Sequence, residues 1–283
     1  MKRTISCMLS GMLGLTAMAA IASGEVAGAG PGGPLTVNQI LVRYVTARGG
    51  AEAWRKIHAM GWTGRIESGP GGISKTPVLM MFRRPNATRF EVIEQGQHSV
   101  RAFDGSKGWK STPTADGIPE VSDYSADEIS FARDAAGLDG PLFDPTAKGI
   151  KVALKGMDSV EGHRAYHLKI TLPSGQLRDD WIDAQSFLEL RYDRETHSVA
   201  GATGVASVYL RNYQSFEGLV IPLTIETGAG NAQYTDKMII QKIALNPAVS
   251  DSQFARPTVP VEHHAGVVVD TRSAGAAGTG AKP

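Results

Sequence analysis

The stretch from Gly149 to Arg194 constrains the fold more than any other part of this chain. Tyr166, Leu168, Ile170 and Leu172 alternate with His167, Lys169 and Thr171. That period of two sends one set of side chains inward and the other to water. Pro173-Ser174-Gly175 stops the strand with turn chemistry, and Leu177 to Asp183 carries the chain back. Asp183-Ala184-Gln185-Ser186 makes the next turn, after which Leu188, Leu190 and Tyr192 alternate with Glu189 and Arg191. Upstream, Val152 and Leu154 lead into Val160-Glu161-Gly162, a glycine-marked break. Four strands on short turns make an antiparallel meander with one wet and one dry face, and the dry face must cover something.

The chain begins with an address. Lys2 and Arg3 precede an apolar run from Ile5 through Ala22, which ends among the small residues Ala17, Ala19, Ala20, Ala22 and Ser23. This is the pattern of a secretory signal peptide over residues 1–23, with an A-x-A type site near Ala19 or Ala22. A transmembrane anchor needs about 20 strongly apolar residues, and Ser6, Ser10, Gly11, Gly14 and Thr16 weaken that reading. The expected product is periplasmic and soluble after cleavage. The single cysteine, Cys7, lies inside the leader, so the mature chain has no thiol. Disulfides, cysteine metal sites and cysteine nucleophiles are excluded together. Losing Lys2 and Arg3 takes the formal net charge from +1 to −1, which offers no electrostatic reason to bind nucleic acid. Residues 24–34 are rich in Gly, Ala and Pro and read as a flexible linker. Gly28-x-Gly30-x-x-Gly33 within them matches a dinucleotide fingerprint only formally, because no strand precedes it and Pro31 interrupts it.

The domain proper is expected over residues 35–257. Thr36 can cap a helix in which Val37, Ile40, Leu41, Tyr44 and Val45 form one stripe, with Gly49-Gly50 at its end. Ala51 to Ala59 resumes helically, with Trp54 and Ile57 apolar. From Trp62 the period becomes two. The continuous run Val78 to Phe82 predicts a strand covered on both faces. Phe90 and Val92 alternate with Arg89 and Glu91, Asp104-Gly105 marks a tight turn, and Trp109 returns. Ser111 to Lys148 is too long for a plain connection. Ser125 or Asp127 can cap a helix there, with Ile129, Phe131, Ala132, Ala135 and Ala136 on its apolar side, a candidate lid over the dry face. Three more strands follow between Val205 and Leu245, Pro222 implying an edge or bulge. Residues 258–283 read as a disordered tail.

Several features, in their order, resemble the LolA/LolB-like lipoprotein-carrier superfamily, in particular its outer-membrane lipoprotein-sorting branch. They are Arg48-Gly49-Gly50-Ala51-Glu52-Ala53-Trp54, Asp104-Gly105 with Trp109, Asp139-Gly140-Pro141-Leu142 and Lys148-Gly149. Val160-Glu161-Gly162, Tyr166-His167-Leu168, Trp181-Ile182-Asp183-Ala184 and Asn246-Pro247 through Phe254 continue the series. The resemblance implies a mainly β fold: an incomplete antiparallel β-barrel with an N-terminal helix and a helical lid on its concave face. It implies a periplasmic carrier of lipoprotein acyl chains or other lipids, with an envelope membrane protein as a further partner. The absence of a lipidated cysteine favours a soluble carrier over a membrane-anchored acceptor. The alternative is a protein-interaction or sensing module on the same fold.

The candidate cavity residues are Ile40, Tyr44 and Trp54 from the opening helices, and Met80, Phe82, Phe90 and Trp109 from the first strands. Ile129, Phe131 and Leu142 come from the lid segment, and Tyr166, Leu168 and Ile170 from the meander. No Gly-x-Ser-x-Gly elbow, Walker loop or His-Glu-x-x-His helix is present, so neither catalysis nor a cofactor is expected. His163 and His167 would share a strand face about 13 Å apart, too far for one metal. Asp179, Asp180 and Asp183 read as solvated charges beside a turn.

Overall fold

The structure is a computed structural model, and it describes residues 34–114, 117–135, 137–197, 203–229 and 235–258. The segments expected to be leader and, but for Pro34, linker lie outside the described residues, as does the expected tail from Val259 onward. Two helices open the domain, α1 (Val37–Ala47) and α2 (Ala51–Arg55). Thr36 caps α1 reciprocally: its Oγ1 accepts from the Gln39 N–H at 3.3 Å, and Gln39 Oε1 accepts from the Thr36 N–H at 2.9 Å. Ile40, Leu41 and Tyr44 form the buried face. Gly49 follows at φ +103°, where a Cβ would stand 2.1 Å from the Gly218 carbonyl oxygen, so only glycine fits.

The strands then run as β1 (Ala59–Ser68), β2 (Ser74–Arg83), β3 (Ala87–Glu94), β4 (Gln97–Phe103), β5 (Gly108–Thr112) and β6 (Glu120–Asp123). Helix α3 (Ala126–Ala135) interrupts them. The series resumes with β7 (Lys151–Val160), β8 (His163–Thr171), β9 (Leu177–Asp183), β10 (Glu189–His197), β11 (Thr203–Phe216), β12 (Leu219–Ala229) and β13 (Asp236–Leu245). All belong to one antiparallel sheet in the order β6-β5-β4-β3-β2-β1-β13-β12-β11-β10-β9-β8-β7. The sheet is therefore two meanders, or wings, joined at a central seam where β1 pairs with β13. β6 and β7 are its free edges, and the barrel is not closed. This is the incomplete antiparallel barrel that the alternating pattern and the resemblance led us to expect.

The connection from β6 to β7 has to pass from one edge of the sheet to the other. Seven strand spacings separate β4 from β10, about 34 Å along the sheet at ~4.8 Å each. Yet α3, ten residues and so about 15 Å long, bonds to β4 and β5 through Glu128 and lies against β10 through Phe131. Only a strongly curled sheet allows that, so the face under α3 is the concave one. The following segment is pinned by Asp139, which accepts from Arg84 at 2.9 Å and Lys148 at 2.6 Å.

Two local readings need adjustment. In the run Val78 to Phe82 only Val78 is buried; Leu79, Met80, Met81 and Phe82 all keep partial exposure, so the strand is not sealed on both faces. Pro222 lies within an internal strand, but β12 pairs with β13 only from Thr224 to Thr227, so its missing N–H removes no bond on that side.

Candidate ligand-binding face

Antiparallel partners share a face, so register alone maps the concave surface. Ile243, Trp62, Met80, Phe90, Arg101 and Lys110 stand opposite one another in a single row across β13, β1, β2, β3, β4 and β5. Its four apolar members are all partly exposed. The Trp62 ring meets Phe82 edge-on at 4.9 Å, and its indole N–H is buried with no hydrogen-bond partner among the described residues.

α3 meets this row at its charged end and crosses the same face. Ser125 and Glu128 form a capping box at its start: the Glu128 N–H donates to Ser125 Oγ at 3.2 Å, and the Ser125 N–H donates to Glu128 Oε2 at 3.0 Å. The same carboxylate receives Arg101 at 2.6 Å and Lys110 at 2.8 and 3.0 Å. Partial burial pushes its pKa up, but the bonds from Lys110, the Ser125 N–H and Arg101 outweigh this and hold it at about 2. At the other end Ser174 donates to Asp134, and the Arg194 guanidinium stands 5.2 Å from the Phe131 ring centre. No side chain of α3 is buried, and Phe131 keeps 42% of its surface exposed. The helix is a strap fastened by polar contacts, with a cleft of about 820 Å³ beside it among Ser130, Phe131, Gln176, Arg194 and Thr196.

Beneath α1 the opposite wing is filled by a buried polar cluster. Arg178 donates to Asp180 at 2.5 and 3.0 Å and to Glu189 at 2.5 Å, and its guanidinium covers the Tyr192 ring at 3.6 Å. Asp180 is wholly buried, which overturns its reading as a solvated charge. Burial pushes its pKa up to about 8, Arg178 opposing and Glu189 reinforcing the shift. Asp183 is buried too, as the acceptor of the turn N–H groups of Gln185 and Ser186. From α1, Tyr44 OH accepts from Arg48 at 2.8 Å, and Arg48 Nε donates to the Val220 carbonyl at 2.8 Å. Phe143 packs on Tyr44 and Trp54 at 5.7 and 5.4 Å.

The candidate residues therefore separate into groups. Met80, Phe82 and Phe90 line the partly exposed concave surface, and Ile129 and Phe131 are on the strap. Tyr166 is partly exposed and stacks on Phe187 at 5.9 Å. Ile40, Tyr44, Trp54, Leu142, Leu168 and Ile170 are sealed in the core. Trp109 faces the other way. It pairs with Ala102 on the convex side, packs with Val100 and Val121, and donates its indole N–H to the Phe254 carbonyl at 2.8 Å. A one-residue offset in β5 relative to the row decides this, since neighbouring strand residues point to opposite faces. A convex cleft of about 610 Å³ lies alongside, bounded by the turn at Ser252, Arg256 and Pro257. His167 is also convex, stacked on Trp181 and 2.8 Å from Asp179.

The set Arg101, Lys110 and Glu128 escaped sequence reasoning. Ser125-x-x-Glu128 was visible as a capping box, but nothing local says that its carboxylate meets cations from two strands.

An open antiparallel sheet curled about one face, with a helix carried across that face between its edge strands, defines the LolA-like half-barrel class. A solved LolA superfamily protein from Nitrosomonas europaea has this fold, with a TM-score of 0.52 at 13% identity over 78% of this chain and 98% of that one. A weaker likeness, TM-score 0.49 at 11% identity over 77% and 97%, is to a domain from Vibrio parahaemolyticus assigned to outer membrane lipoprotein sorting. No protein-family model matches the sequence, and no curated protein matches it. Identities this low speak for a shared fold alone.

Proposed function

We propose that the protein binds acyl chains on the concave face beneath α3 and acts as a carrier of lipids or lipoproteins in the periplasm, without catalysis. The observation that carries this reading is the row Ile243, Trp62, Met80 and Phe90, partly exposed on the face that α3 crosses, with no side chain of α3 fully buried. A helix fastened by polar contacts, with no side chain fully buried, leaves apolar floor available, and each methylene buried there contributes about 0.8 kcal/mol. The LolA-like fold supports the ligand class, and the leader pattern read in residues 1–23 supports the location. No described helix is long and apolar enough to cross a membrane.

The test is mass spectrometry of organic extracts from the purified mature protein, followed by titration with a fluorescent long-chain probe. Co-purifying lipid and saturable probe binding are expected. A folded protein that binds no acyl probe would defeat the carrier reading. One observation favours a second reading, a protein-interaction module: beneath α1 the concave side of β9 and β10 is occupied by the buried Arg178–Asp180–Glu189 cluster, which takes up space an acyl chain would need there.

A further inference from the structure

We infer that the ligand is a single acyl chain bearing an anionic head, that Arg101 and Lys110 receive the head, and that the Glu128 carboxylate occupies the head's place when the face is empty. The inference rests on the acyl-binding reading above. The row is amphipathic along its length: four apolar side chains from β13 to β3 lead directly to Arg101 on β4 and Lys110 on β5. The apolar part spans three strand gaps, about 14 Å. One acyl chain in a bilayer reaches half of the ~30 Å hydrocarbon core, about 15 Å. The lengths agree, so the track is matched to one chain.

The charges point the same way. Arg101 and Lys110 share one carboxylate among the described residues, Glu128, leaving a surplus positive charge at the end of an apolar track. That carboxylate comes from the strap and not from the sheet. A carboxylate or phosphate head entering beside Phe90 would take over the same donors and release the α3 N-terminal end, while the Asp134–Ser174 contact holds the other.

Titration calorimetry of the full mature chain with palmitate, hexadecanol and acetate tests this. Palmitate is expected to bind about tenfold or more tightly than hexadecanol, the same chain with a neutral head. Glu128→Gln keeps a capping side chain while removing the competing charge, so it should tighten palmitate by about tenfold more than it changes hexadecanol. Lys110→Met should bring palmitate down to the hexadecanol level, with circular dichroism confirming an intact sheet. Equal affinities for palmitate and hexadecanol in the wild type, or indifference to Lys110→Met, would overturn the headgroup site. Acetate binding as tightly as palmitate would overturn the acyl part, leaving a bare anion site. If neither long-chain probe binds, the carrier reading itself fails.

Discussion

Asp180 behaves unlike an ordinary carboxylate because no water reaches it and because Glu189 draws on the same guanidinium. The groups facing it are Arg178 on its own strand, Tyr192 and Glu189 from β10 and its start, and Tyr44 from α1. Its folded pKa, about 8 against an ordinary 3.8, is raised, so between those values the folded state holds a proton that the unfolded state has released. Stability from this group is present at low pH and declines as pH rises from about 4 to 8, the reverse of a salt-bridged carboxylate. Denaturant midpoints compared across that range should show wild type losing ground to Asp180→Asn as pH rises; parallel curves would contradict the assignment. Nothing in the local sequence announces this. Arg178 and Asp180 are two apart on one strand face, which is equally the pattern of a surface pair. Burial comes from α1, more than a hundred residues earlier.

At the scale of elements, the strap and the strand carrying Trp109 make opposite demands. Phe131→Asp places a carboxylate on a side chain that is 42% exposed and beside Arg194, so the fold should tolerate it within about 1 kcal/mol. Acyl-probe affinity should change, because the strap's seat changes. Trp109→Ala removes a convex core residue and should cost about 3–5 kcal/mol, with probe affinity unaltered while the protein stays folded. Thermal melts beside probe titrations separate the two, and a stable Trp109→Ala with lost binding would reverse the face assignment. Helix existence and strand alternation were legible here because periods of 3.6 and 2 are local signals. The face of each strand relative to the others was not, since one residue of register inverts it. Met80 and Phe90 fell on the row while Trp109, equally apolar, did not.

At the scale of the whole molecule, both meanders could be read from sequence except β6, four residues that fell within the segment read as irregular, because each other strand's partner follows within a few residues. The seam between β1 and β13 could not, as it joins segments that share no local signal. The Ala59 N–H reaches the Asn246 side chain at 3.3 Å across 187 residues of chain. A consequence follows for how the protein assembles. Each wing is a run of hairpins with low contact order and can close by itself, whereas the seam is the most non-local pairing in the fold and is expected to form last. The covalent passage through α3 sets the effective concentration at which the wings meet. Nicking the chain near Gly137 should leave the native circular dichroism and sedimentation unchanged, because the seam already exists. Refolding of the nicked protein from denaturant should become second order, with a rate that rises with protein concentration, while the intact chain refolds at a concentration-independent rate. On this view the strap is also an intramolecular chaperone for the seam: it makes the meeting of two half-sheets unimolecular and so keeps their unpaired central edges, β1 and β13, from meeting those of another copy.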